Sequence, residues 1–302
     1  MQLFNNTLKI DFLAKTKITS IISGILFIMS TGILIINGLN LTVEFTGGTN
    51  LNISLEKTTI GDFRNTINTI LEQNVEVVEI ENDKSNQSNF LLRTKFIEDE
   101  DLIISPLRKE YPSLFLNGID SFGPKLGAEL KSNARNAIML ALLLISCYIA
   151  IRFDRYYALG SVIALIHDVL ITMGILSVLN LEIGITIIAA LLTIVGYSLN
   201  DTIVVYDRIR ENISKLINND RATIVNRSLN EMLNRTVITS ITTLIVVCVL
   251  YFYGGAVLQP FAMTLIIGIM IGTYSSIFIA SPIMLFFEEK YPIPEYKDEE
   301  EY

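Results

Sequence analysis

Long apolar runs alternate along this chain with short polar breaks, and a single polar interval near the N-terminus interrupts the series. Six helical spans are predicted, over residues 18–36, 137–151, 156–179, 183–206, 236–253 and 261–287. A helix of about 20 residues crosses the roughly 30 Å hydrocarbon layer, where only internal hydrogen bonding satisfies the peptide groups. The second run is the shortest, and a helical pattern beginning near Leu126 extends it backwards.

Between spans one and two the period changes. LTVEF at 41–45 and NLNISL at 50–55 read as strands, the second alternating Leu51, Ile53 and Leu55. Thr59 with Asp62 resembles a capping box, after which Ile60, Phe63, Ile67 and Leu71 recur at helical spacing. VEVVEIE at 75–81 and FLLRTKF at 90–96 flank DKSNQSN, the pattern of a hairpin with a slack turn. A second helix is expected over 98–111, interrupted or restarted where Ser105 and Pro106 supply a cap and a first position. FLNGIDSF at 115–122 then closes the sheet.

The order ββαββαβ contains a βαββαβ core. The expected fold class is therefore a membrane all-α protein: a six-transmembrane-helix bundle with one extracytoplasmic α+β ferredoxin-like domain inserted between helices 1 and 2. In EFTGGTN, Gly47 and Gly48 are expected to form a tight hairpin turn between two strands. A binding site is the competing reading, but no helix follows to make a phosphate cradle.

Composition agrees with spans in lipid. Apolar residues make up 51% of the chain, and the mean hydropathy of +0.48 excludes an ordinary soluble globular domain. The net charge of −8 is poorly suited to nucleic acid. Part of that charge lies in the terminal EEKYPIPEYKDEEEY, which reads as a solvated tail. Cys147 and Cys248 both lie inside predicted spans, so neither a disulfide framework nor a metal cluster is expected.

Orientation follows from the short loops. Arg152 and Arg155 lie between spans two and three, and six basic residues from Arg208 to Arg235 lie between spans four and five. The loops NLEIG and GGAVLQ have none, so both termini are expected to be cytoplasmic. The first span has a basic flank like a signal peptide, but its long apolar run and the lack of a small-residue cleavage site point to an uncleaved anchor. The chain then divides into a cytoplasmic N-terminus (1–17), span one (18–36), the external domain (37–125), spans two to six (126–287) and a cytoplasmic acidic tail (288–302).

Few ionisable residues fall inside the spans, and each costs about 2.5 to 3.5 kcal/mol on insertion scales. Asp201 lies six residues before Asp207, roughly 9 Å inside the charged boundary at 1.5 Å per residue. Ser198 and Thr202 share its stretch of helix. Arg235 opens the fifth span at a similar depth, so an Asp201–Arg235 pair is geometrically reasonable and would lower the cost of both charges. His167 and Asp168 stand near mid-bilayer and, being adjacent, point about 100° apart. Three readings compete for this set: interhelical glue, a proton relay, and a metal or hydrolytic site of HD type. Asp207, Arg208, Arg210 and Glu211 fall where the fourth helix emerges, and interfacial anchoring accounts for them.

The motifs in combination resemble the SecF family. They are VEFTGGTN after span one, FGPKLG with Gly123 and Pro124 before span two, IRFDRYYALGSVIALIHDVLIT through span three, GYSLNDTIVVYDRIREN in span four and NRTVITSITTL in span five. Glu44, Tyr206 and Asn234 stand where the family commonly has Asp, Phe and Ser. The resemblance implies a fold related to the resistance-nodulation-division (RND) transporters and a non-enzymatic, cofactor-free role in the bacterial cytoplasmic (inner) membrane. It implies a SecD-like subunit, the SecYEG translocon and the translocating preprotein as partners, with protonmotive force driving late steps of export. It assigns Asp201 and Arg235 to the proton pathway, with His167, Asp168, Ser198 and Thr202 beside them. A small-molecule exporter half of the RND type and a passive membrane scaffold are the alternatives.

Overall fold

A computed structural model describes residues 9–56, 58–71, 75–80, 87–217 and 219–291. Its elements are α1 (Thr16–Ile36), α2 (Val43–Thr46), β1 (Gly48–Glu56), α3 (Ile60–Leu71), β2 (Glu76–Ile80), β3 (Gln87–Thr94), α4 (Asp101–Glu110) and β4 (Phe115–Phe122). After these come α5 (Pro124–Arg152), α6 (Arg155–Val178), α7 (Ile185–Lys215), α8 (Arg221–Tyr253), α9 (Gly255–Ser275) and α10 (Ser281–Lys290). The chain separates into two compact units, Asn40–Ala137 with Glu182–Thr186, and the remainder. Residues of α5 and α7 are divided between them.

In the first of these units four antiparallel strands lie in the order β2-β3-β1-β4. Leu51, Ile53 and Leu55 alternate toward one face of β1, opposite Leu92 and Phe90 of β3. On that face they meet Phe63 and Ile67 of α3 and Ile103 and Leu107 of α4, all fully buried. Phe63 stacks on Phe90 with ring centroids 4.6 Å apart. The register slips between β1 and β4 near Asn117, whose amide donates to Ser54 Oγ at 2.6 Å. Thr59 and Asp62 make the reciprocal contacts of a cap at the start of α3, Asp62 N–H donating to Thr59 Oγ1 at 3.2 Å.

Three local expectations fail here. LTVEF is not a strand: Val43 to Thr46 form one helical turn that buries Val43 and Phe45. Apolar residues two apart suit a strand, yet a single turn buries both, and Gly47 at φ +76° then stops the helix. Gly47 and Gly48 are thus a helix stop followed by a strand start, and the sheet has four strands among the described residues. In α4 the helix continues through Pro106 instead of restarting there. The missing N–H would have bonded Leu102, which lies on the exposed face where water can satisfy its carbonyl. The turn expected over DKSNQSN lies mostly outside the described residues, as does most of the acidic tail.

The other unit is helical. Among the described residues six helices are long and apolar enough to cross a membrane, the last running through α9 and α10. They differ sharply in burial: α6, α7 and α9–α10 are about half enclosed or more, whereas α1, α5 and α8 expose most of their apolar surface. Ile36 and Ile151 are more than four-fifths exposed, as side chains facing lipid would be. A π-helical turn, Ser276–Ala280, joins α9 to α10 where an unbroken span was expected. The GGAVLQ loop contracts to Gly254, because Gly255 at φ +75° reverses the chain and already begins α9. The basic interval between spans four and five is likewise mostly helical, since α7 and α8 extend to Lys215 and from Arg221.

Candidate functional site

The interior of the helical unit is mainly apolar, and a buried carboxylate lies where α6, α7 and α9 meet. Asp168 of α6 is completely buried there. Its Oδ2 accepts from Ser198 Oγ of α7 at 2.6 Å and from Ser275 Oγ of α9 at 2.7 Å. Its Oδ1 lies 3.0 Å from His167 Nδ1, which donates when that nitrogen carries the proton. One carboxylate therefore ties hydroxyls of α7 and α9 to α6, with a ring nitrogen of its own helix beside it. His167 and Asp168, though adjacent, address neighbouring residues of one helix, since the His167 ring lies 6.4 Å from that of Tyr274. The Tyr274 hydroxyl in turn donates to the Thr19 carbonyl at 3.0 Å and pairs with Ser23 of α1.

Asp201 is different. It sits on α7 one turn beyond Ser198, 4% exposed, and its Oδ2 is buried with no hydrogen-bond partner. Thr202 is equally buried but turns its hydroxyl back to the Ser198 carbonyl at 3.1 Å. His167 Nε2, Thr172 Oγ1 and Tyr197 Oη are also buried without partners, so unsatisfied polar atoms collect on α6 and α7. In a close-packed apolar interior such atoms are costly.

The expected Asp201–Arg235 ion pair does not form. Arg235 is exposed, and no hydrogen bond or ion pair joins the two among the described residues. The reason is helical phase: Thr236 is the buried residue of that turn, so Arg235, 100° away, faces outward. Arg235 also lies in the fifth turn of α8, not at its start.

The charged end of α7 is tied into ion pairs and backbone contacts. Asp207 pairs with Arg152 at 3.3 Å, and Arg208 bridges Glu231 at 2.6 Å and Glu211 at 2.5 Å. Arg210 donates to the Arg152 carbonyl at 3.1 Å and lies over the Phe153 ring. In the other unit the two glycine-bearing motifs touch. A Cβ on Gly47 would stand 2.9 Å from Pro124 Cα, and one on Gly127 would stand 3.0 Å from Gly47 N. Gly123 itself makes only ordinary contact, with Phe96.

Sequence reasoning missed Ser275, which holds Asp168 as closely as Ser198 does. Its one signal was position: a hydroxyl deep in an apolar run, just before the π-helical turn. Gly272, one turn earlier, allows that approach, since a Cβ there would lie 2.9 Å from Ser198 Cβ. Gly272→Val is expected to push α9 off α7 and destabilise the bundle by about 1 to 3 kcal/mol. A lowered midpoint of helix melting by circular dichroism in detergent checks this, and an unchanged midpoint would show that the contact is not tight.

Fold and site together define a multi-pass membrane protein with a buried carboxylate seam between three helices. Comparison with known proteins places it more closely. The family described as "Protein export membrane protein SecD/SecF, C-terminal" matches residues 105–290. The chain is 41% identical over 294 residues to the protein translocase subunit SecF of Calditerrivibrio nitroreducens, covering 94% of this chain and 96% of that protein. It is 41% identical over 272 residues to the SecF of Escherichia coli O157:H7, covering 87% and 83% respectively. The crystal structure of Thermus thermophilus SecDF, described as a translocon-associated membrane protein, superposes with a TM-score of 0.83 at 35% identity. That match covers 96% of this chain and 40% of the SecDF chain. The chain belongs to the SecF family of protein translocase subunits.

Proposed function

We propose that this chain is a subunit of a protein-export machine in the bacterial cytoplasmic membrane, working with a SecD-like subunit, the SecYEG channel and the translocating preprotein. Protonmotive force drives its part of the work. A SecD partnership is supported by relatives in which one SecDF chain contains the matching region. Both termini face the cytoplasm, residues 37–125 form an external ferredoxin-like domain, and residues 126–287 carry spans two to six. The strand order β2-β3-β1-β4 and the βαββαβ succession support that name for the external domain.

The observation that carries the reading is the contrast between two buried carboxylates. Asp168 has two hydroxyl donors from two other helices and a ring nitrogen against it, whereas Asp201 leaves an oxygen without a partner. That buried oxygen is open to a proton or a water. Asp201 is the proton carrier. His167, Asp168, Ser198 and Thr202 form the polar seam beside it, and Arg235 biases its charge from outside. Protonation from the external side neutralises Asp201, the helices shift, and release to the cytoplasm resets the cycle. One charge crossing 100 mV supplies about 2.3 kcal/mol, enough to bias a two-state element.

Export into inverted membrane vesicles tests this. With the chain and its partners present, export after the ATP-driven phase is expected to fall when an uncoupler collapses the proton gradient. The same loss is expected when the chain is depleted. Export insensitive to the uncoupler in both preparations would leave a scaffold role.

A further inference from the structure

The turn between α6 and α7 is held by the unit that contains the sheet. Residues 182–186 cluster with Asn40–Ala137, and the contacts are specific. Thr42 N–H donates to the Ile183 carbonyl at 3.1 Å, and Ile183 N–H donates to the Asn40 carbonyl at 2.7 Å. Arg93 of β3, mostly buried, forms an ion pair with Glu182. Glu44 of α2 turns its Oε2 onto the backbone N–H of Ile185, 2.6 Å away, and also accepts from Thr42 Oγ1 at 3.3 Å.

Ile185 is the first residue of α7, and α7 has no acidic residue in its own first turn. The free N–H groups at a helix start call for an acceptor and favour a negative charge. That acceptor normally comes from the residue before the helix. Here the residue before it is Gly184, which has no side chain to offer. A Cβ on Gly184 would lie 2.7 Å from Glu44 Oε2, so the glycine is what admits the carboxylate. The cap arrives from 141 residues earlier in the chain.

We propose that Glu44 is a positioning residue for proton-driven export. By capping α7 from a segment packed with the sheet, and with Arg93 holding Glu182, it ties movement of the external domain to the helix that bears Asp201. Asp201 lies sixteen residues further along the same helix. A load on residues 40–48 therefore acts on α7 at its end, through one carboxylate and a two-residue backbone bridge. The inference rests on Asp201 being the proton carrier.

The test uses the full chain with its SecD-like partner in membranes. Two quantities are read: amide hydrogen exchange over residues 182–190, and the uncoupler-sensitive share of export. In Glu44→Ala, exchange at the start of α7 is expected to rise about fivefold, the size of a lost cap. Glu44→Gln keeps an acceptor oxygen without the charge, and about twofold is expected. The uncoupler-sensitive share of export should fall in the same order, at unchanged chain abundance. Unchanged exchange in Glu44→Ala would overturn the cap. Faster exchange with full uncoupler-sensitive export would overturn the coupling. Normal export by an Asp201→Asn control overturns the proton reading and the coupling with it, while the exchange result still decides whether the cap exists.

Discussion

Asp201→Asn is expected to abolish the uncoupler-sensitive part of export while leaving the protein folded. Asn has nearly the same size and shape as Asp, so the packing around this buried position is kept. Asp201 Oδ2 has no hydrogen-bond partner, and its replacement removes no such contact. What changes is chemical: an amide takes up no proton near neutral pH. It also removes a buried charge, whose desolvation is costly in lipid. The melting midpoint should therefore stay the same or rise. Export should drop to the level left by an uncoupler, and adding the uncoupler should cause no further loss. Proton leak through reconstituted vesicles should fall with it. Wild-type export and leak at matched abundance would reduce the carboxylate to a structural role.

Arg235→Ala follows a different logic. The side chain is exposed and makes no hydrogen bond or ion pair with Asp201, so its removal changes a field and not a bond. The loss of coupling should accordingly be smaller than for Asp201→Asn, and should shrink further at high salt.

The sequence displayed the spans because apolar runs of that length leave little else to form. It also displayed the residues of the polar seam, but not their partners. The depth of a side chain follows from counting along a helix, whereas its facing depends on which neighbours the helix packs against. Arg235 and Asp201 stand at similar depth, yet Thr236 occupies the inward position of α8 and turns Arg235 away. Asp168 and Ser275 lie 107 residues apart, and only the packing of α6 on α9 joins them. In the sheet unit the alternation of β1 was readable, since Leu51, Ile53 and Leu55 have one face to fill. LTVEF was not, because Val43 and Phe45 bury equally well in a single helical turn, and the choice fell to Gly47. The capping role of Glu44 had no local signal at all, as its partner is a backbone N–H in another segment.

Asp168→Ala is expected to act on stability first. It removes the acceptor shared by Ser198 Oγ and Ser275 Oγ, and also the group facing His167 Nδ1. In water-soluble proteins each buried donor left unpaired costs about 1 to 3 kcal/mol. In membranes such bonds average closer to about 0.6 kcal/mol, because freed hydroxyls can turn back to their own helix. Ser275 has that option, since its hydroxyl already reaches the Gly272 carbonyl at 3.1 Å. The His167 ring does not gain it, because its Nε2 is already buried without a partner. A total loss of about 2 to 4 kcal/mol is the expected balance, read as a melting midpoint lower by roughly 5 to 10 °C. Asp168→Asn keeps one acceptor oxygen and should lose about half as much. Ser198→Ala in the Asp168→Ala background should cost almost nothing further, because the two groups share one interaction. Full additivity of the two substitutions would show that Ser198 and Asp168 act separately, and an unchanged midpoint in Asp168→Ala would make Asp168 a functional carboxylate rather than the fixed point around which α6, α7 and α9 assemble.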